Sequence, residues 1–204
     1  MDVLDKYKDA WNQQPDNSPK ISKADIYKLM HKKSSSIVKW IFIIGILEFL
    51  ILNSTYLFID FNEAAQVYRD MGLIHFAYIF QTITYIIVAY FLYLFYKNYK
   101  TISVTDTTKQ LMDNIIKTRK AVRNYVLFNI SSGLLLFVVI MIASVKNLEV
   151  SLKMPEMIGI TIGIIIVAGI LLLLFWLFYQ VLYGFLLKKL KRNYKELSKI
   201  DELN

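Results

Sequence analysis

Four stretches of this chain are apolar for twenty residues or more, approximately Ile37–Ile59, Ile74–Tyr96, Tyr125–Val145 and Met157–Leu187. A bilayer core needs about 20 helical residues to cross, so each stretch is long enough to span one. The fourth exceeds the requirement and is expected to tilt or to run on beyond the membrane. All four are continuously apolar and do not alternate, which excludes the strands of a membrane β-barrel. The predicted fold class is therefore all-α: a polytopic membrane protein with four transmembrane helices and helical extensions.

The polar intervals carry a helical period of their own. Leu4, Tyr7 and Trp11 sit at i, i+3 and i+7 in "DVLDKYKDAWN", a short amphipathic helix whose tryptophan needs a surface to bury against. "NQQPDNSPK" breaks that helix and acts as a linker. Ser22 and Asp25 make a capping-box pattern before the apolar face Ile26, Leu29 and Met30, and Ser103 and Asp106 repeat it before "TTKQLMDNIIKTRKAVRNY". There Leu111, Met112, Ile115, Ile116 and Val122 form a stripe that continues into the third span, predicting one helix of roughly 40 residues and about 60 Å. Leu187, Leu190, Tyr194 and Leu197 form a short seam after the fourth span. These extensions are expected to pack on one another and on the end of the second span. The chain thus divides into residues 1–36, a transmembrane domain 37–187 containing the helical loop 97–124, and a basic tail 188–204.

Charge orients the four spans. Seven lysines precede residue 37, seven Lys/Arg lie in 97–124 and six in 188–204, whereas the two other loops carry only Arg69 and the pair Lys146 and Lys153. The positive-inside rule then predicts both termini and the middle loop to be cytoplasmic. The net charge of +8 reads mainly as this topology signal, with anionic lipid headgroups as its nearest partner and no nucleic-acid role. A polar stretch of about 36 residues ahead of the first span leaves no cleavable signal peptide to expect. Trp40, the tyrosines of "AYFLYLFYKNY", and Trp176, Tyr179 and Tyr183 fall near span ends, where headgroup anchoring accounts for them.

Little in the chain suggests bond-making chemistry. There is no cysteine, which excludes thiolate nucleophiles, disulfides and Cys-ligated zinc. The two histidines, His31 and His75, are predicted on opposite sides of the membrane and cannot share a metal. No HExxH, phosphate-binding glycine loop or G-x-S-x-G occurs, so no catalytic residue, cofactor or metal is expected. "GITIG" places Gly159 and Gly163 at the spacing of a close helix contact, within the bundle or between two protomers of a homodimer.

The exception to an uncharged interior is Glu48, in "IFIIGILEFLILN". Counted from Ile37 it lies roughly 16 Å into its span, near the midplane. Thr84 and Ser132 fall at similar depth, with Gln81 and Asn129 about a turn away, and together they are the candidate polar cluster. No lysine or arginine reaches that level. An unpaired carboxyl there is expected to keep its proton and to clasp neighbouring helices by hydrogen bonds. The alternative is a proton-carrying role, the usual suspicion for a carboxyl at such depth.

"IYKLMHKKSSSIVKWIFIIGILEFL" (26–50) resembles a family of small four-span proteins from Bacteroidota, and "LDKYKDAWNQQ" resembles the start of membrane proteins encoded beside sigma-factor genes in that phylum. The resemblance implies a protein of the bacterial inner membrane tied to a sigma-factor circuit, and brings no established activity. Some members bear the label beta-carotene monooxygenase. Such oxygenases resemble β-propellers that hold iron with four histidines, and two histidines on opposite sides do not fit that label. The zinc-binding His/Cys pattern of one anti-sigma class is also missing. The expected function is a non-enzymatic membrane regulator or scaffold whose Leu4, Tyr7 and Trp11 dock a cytoplasmic protein. The rival is a subunit of a small homo-oligomeric transporter or exporter that uses Glu48.

Overall fold

A computed structural model describes residues 23–54, 58, 61–105, 107–147 and 154–201 of the chain. All six regular segments among them are helical: α1 Lys23–Ser54, α2 Phe61–Asp70, α3 Ile74–Ser103, α4 Thr108–Asn147, α5 Met154–Tyr179 and α6 Phe185–Asp201. A five-residue π-helical turn, Gln180–Gly184, joins α5 to α6 without a break. Four helical stretches are long and apolar enough to cross a membrane: Ala24–Ser54, Ile74–Ser103, Thr108–Lys146 and Pro155–Lys199. The docking residues Leu4, Tyr7 and Trp11 lie outside the described residues, as do Ser22 and Asp106 of the two expected capping boxes.

The helices α1, α3, α4 and α6 close into a four-helix ring in which α1 touches both α3 and α6. The best-packed part of the ring lies at its basic end. Val38, Ile41, Phe95, Ile102, Leu111, Ile115, Val122, Leu190 and Leu197 are fully buried there. The helical stripes explain why: Leu111, Ile115 and Val122 of α4 and Leu190 and Leu197 of α6 turn one face inward, while Leu187, Tyr194 and Met112 pack around them. Leu29 and Ile116, assigned to apolar faces by spacing, stay about half exposed. By contrast, the most apolar windows of the third and fourth stretches bury none of their residues within the protein. Ile142, Ile165 and Val181 stand exposed there, surfaces suited to an apolar surrounding.

Polar side chains tie the basic end together. His31 Nε2 donates to the Ile102 carbonyl at 2.7 Å, and the Tyr27 hydroxyl donates to the Thr105 carbonyl at 2.9 Å. Asn193 Nδ2 donates to Ser34 Oγ at 3.0 Å with both groups buried, which fixes α6 against α1.

Three boundaries differ from those the sequence suggests. Ser103 does not open α4; it closes α3, its hydroxyl donating to the Lys100 carbonyl at 2.7 Å. The cap of α4 is Thr107, whose Oγ accepts from the Gln110 N–H at 3.3 Å, the T-x-x-Q form of the same motif. The first span, expected to reach Ile59, ends as helix at Ser54, and Phe58 stands exposed in a turn. The inter-span loop holds the unforeseen α2, whose end is a Schellman turn. Gly72 takes φ +67° there, and the Leu73 and Gly72 N–H groups donate to the Tyr68 and Arg69 carbonyls at 2.8 and 2.9 Å.

Candidate functional site

Glu48 is buried, and two tyrosines from the opposite end of the sequence hold it. The Tyr179 hydroxyl donates to Glu48 Oε1 at 2.7 Å, and the Tyr183 hydroxyl donates to Oε2 at 2.8 Å. The Tyr125 hydroxyl interacts with the same carboxyl and with Asn129. Three rings therefore wall the group: Tyr179 and Tyr183 stack 6.2 Å apart, and Tyr125 meets them edge-on at 6.3 and 6.0 Å. The clasp joins α1, α4 and the α5–α6 junction in one cluster.

Local sequence explains how the pieces meet. Tyr179 is the last residue of α5 and Tyr183 lies inside the π-helical turn, so the wider turn sets the spacing at which both hydroxyls reach one carboxyl. Gly45, one turn before Glu48, lets α3 come close: a Cβ on it would sit 2.9 Å from Leu92 Cδ2 and 3.4 Å from the Phe95 ring. Phe95 in turn packs edge-on against Tyr125 at 5.4 Å, which steadies the third ring. Both carboxyl oxygens receive a donor, as a carboxylate allows directly. A neutral acid fits equally once one hydroxyl rotates to accept.

Distances from the clasp to charged positions differ between helices. Lys188 follows Tyr183 by five residues and Arg123 precedes Tyr125 by two, about 8 Å or less at 1.5 Å per residue, whereas Lys39 precedes Glu48 by nine, about 14 Å. On the other side six residues of α1, about 9 Å, follow Glu48. Along α4 and the α5–α6 junction the clasp therefore sits toward the basic end of the apolar stretch.

The other members of the expected polar cluster are placed differently. Gln81, Thr84 and Asn129 line a separate small cavity of about 150 Å³ with Asn53 and Tyr125. Asn129 Nδ2 donates to its own helix, to the Tyr125 carbonyl at 2.9 Å. Ser132 is seven residues beyond Tyr125 on α4, two turns from the carboxyl. Tyr125 alone connects the two groups. Tyr179 and Tyr183, assigned to headgroup anchoring, are instead buried, whereas Trp40 and Trp176 are half exposed as anchors would be. Gly159 and Gly163 have nothing within 4 Å of an added Cβ, so among the described residues their close contact is not made. His31 is engaged with a backbone carbonyl and His75 is exposed on α3. Among the described residues no three His, Cys, Asp or Glu side chains gather as a metal site would require.

Beside the clasp, between α4 and the π-helical turn, runs a groove of about 510 Å³. Tyr179 and Tyr183 form its back wall, Arg119, Lys120 and Arg123 line one end, and Leu127, Ile130 and Trp176 line the other.

Fold and site together define an all-α protein with four helices of membrane-crossing length, tied together by a carboxyl held between tyrosines. More particularly, the chain belongs to the family described as a domain of unknown function, DUF8845, whose profile matches residues 24–202. No curated protein and no solved structure matches it.

Proposed function

We propose that the protein is a non-enzymatic regulator or scaffold of the bacterial inner membrane, with both termini in the cytoplasm, whose basic-end bundle presents the N-terminal helix to a cytoplasmic protein partner, in a sigma-factor circuit. The observation that carries this reading is the position of the core. Most of the fully buried residues, Ile102, Leu111, Ile115, Val122, Leu190 and Leu197 among them, lie in the Lys/Arg-rich parts of α3, α4 and α6, where four helices pack together. A protein built only to cross the bilayer has no need of such a bundle. The excess of Lys and Arg on that side supports its cytoplasmic placement.

The transporter reading draws less support from the same site. Both oxygens of Glu48 are occupied by hydroxyls, and among the described residues no second carboxylate or histidine lines the clasp or its neighbouring cavities. A proton path would want such groups in line. What remains for that reading is the uncovered Gly159 and Gly163 pair as a contact for a homodimer.

A chain without cysteine makes the orientation simple to test. Glu63→Cys in α2 should react with an impermeant maleimide on intact cells, and Ser198→Cys in α6 only after permeabilisation. The opposite pattern overturns the topology. Affinity capture from solubilised membranes then compares the wild type with Trp11→Ala. A partner recovered by the first and lost by the second supports docking through the N-terminal helix, and identical recoveries refute it.

A further inference from the structure

We propose that the groove between α4 and the π-helical turn is a binding site for one anionic phospholipid, with the phosphate held by Arg119, Lys120 and Arg123 and an acyl chain laid along Leu127, Ile130 and Trp176. Charge complementarity argues first. Three cationic side chains converge at one end of the groove, and among the described residues no aspartate or glutamate lines it. Arg119 Nε is shielded from solvent and has no hydrogen-bond partner among the described residues. A buried guanidinium N–H left unmatched is costly, and a phosphate oxygen is the acceptor whose charge and geometry suit it.

The order of residues along the helix argues second. Arg119, Arg123, Leu127 and Ile130 follow one another at i, i+4, i+8 and i+11, so one face of α4 passes from basic to apolar within about a turn. That change falls level with the clasp, at the edge of the uncharged zone, where a headgroup meets its acyl chain. A soluble anion would leave the apolar half uncovered, and an apolar ligand would leave the cations unmatched. Basic pockets between spanning helices on the cytoplasmic side are where acidic headgroups are recognised.

Gln180 folds back against the helix in the wall of the groove: a Cβ on Gly184 would lie 2.7 to 2.8 Å from its side-chain amide, so glycine leaves room for that amide. The back wall is formed by the two tyrosines whose hydroxyls grip Glu48, so an occupant would rest on the rings that lock α1 to the α5–α6 junction.

Trp176 supplies the readout. In the full chain carrying Trp11→Phe and Trp40→Phe it is the remaining tryptophan. Reconstitution into phosphatidylcholine vesicles containing a small mole fraction of brominated-acyl phosphatidylglycerol should quench it several-fold more than the same fraction of brominated phosphatidylcholine. Arg119→Gln with Arg123→Gln should weaken the phosphatidylglycerol response about 25-fold, about fivefold per charge, as expected for about 1 kcal/mol per basic residue. Lys189→Gln with Lys195→Gln removes equal charge from α6 outside this groove and should leave the response unchanged. Equal quenching by the two lipids overturns the proposal. Equal loss in both pairs also overturns it, because it reports only bulk attraction to an acidic surface. Should the arginine pair fail to fold, Lys120→Gln, at an exposed position, is expected to show the fivefold loss alone, and an unchanged response there refutes the site.

Discussion

Replacing Glu48 tests whether the clasp holds the helices together, and the geometry fixes both sign and size. Two hydroxyls donate to the carboxyl at 2.7 and 2.8 Å, from a chain segment 131 and 135 residues away. Interhelical polar bonds in membrane proteins average about 0.6 kcal/mol and reach about 1.7, so two of them amount to about 1.2 to 3.4 kcal/mol. Glu48→Leu should lose that sum and also strand two buried hydroxyls. Tyr179→Phe and Tyr183→Phe should each lose about half of it. The decisive quantity is the coupling. In a Glu48→Leu background each Tyr→Phe change should cost nothing or be slightly favourable, because the stranded hydroxyl has gone, giving a coupling of about 0.6 to 1.7 kcal/mol per pair. Glu48→Gln keeps an acceptor and a donor and should lose less than Glu48→Leu. Unfolding of the purified variants in mixed micelles, with the anionic detergent fraction as denaturant, measures all six. Additive losses in both cycles, with coupling under about 0.3 kcal/mol, would refute the clasp as an energetic link.

The basic-end bundle offers a second cycle: Ser34→Ala should cost about 1 to 3 kcal/mol by stranding buried Asn193 Nδ2, and adding Asn193→Leu should recover most of it, read in the same titration. Gly72→Ala should cost about 1 to 2 kcal/mol, since φ +67° is strained for any residue with a Cβ, and amide exchange at Leu73 should speed up as the Schellman turn loosens. Gly45→Ala should be close to neutral, its helix-propensity gain of about 1 kcal/mol offsetting a clash with the flexible end of Leu92. Gly45→Leu should instead cost about 1 to 3 kcal/mol by prising α3 from α1, and equal stability of the two variants would exclude a close α1–α3 crossing.

How much of this was legible in the sequence depended on the range of the interaction concerned. The four apolar stretches, the 40-residue α4 and the seam Leu190–Leu197 are local repeats, and a helical period reports them without knowledge of any partner. The partners of Glu48 are long-range. A tyrosine near the end of a span looks the same whether it anchors to headgroups or turns inward, so Tyr179 and Tyr183 were indistinguishable from Trp176. One signal was available: Tyr179 and Tyr183 are one turn apart, and a lone carboxyl needs donors of the hydroxyl or amide kind. The π-helical turn left no readable mark, because Gln180–Gly184 contains nothing that an α-helix could not accommodate.

The separation of Glu48 from its tyrosines also has a temporal side. Synthesis proceeds at roughly 5 to 20 residues per second, so about 7 to 26 seconds pass between the emergence of the carboxyl and that of Tyr179, 131 residues later. Tyr125 of α4 is made in between, so the clasp assembles in two steps: one ring and hydroxyl first, then the two donors at the α5–α6 junction. A product truncated before Tyr179 would leave both Glu48 oxygens without those two donors.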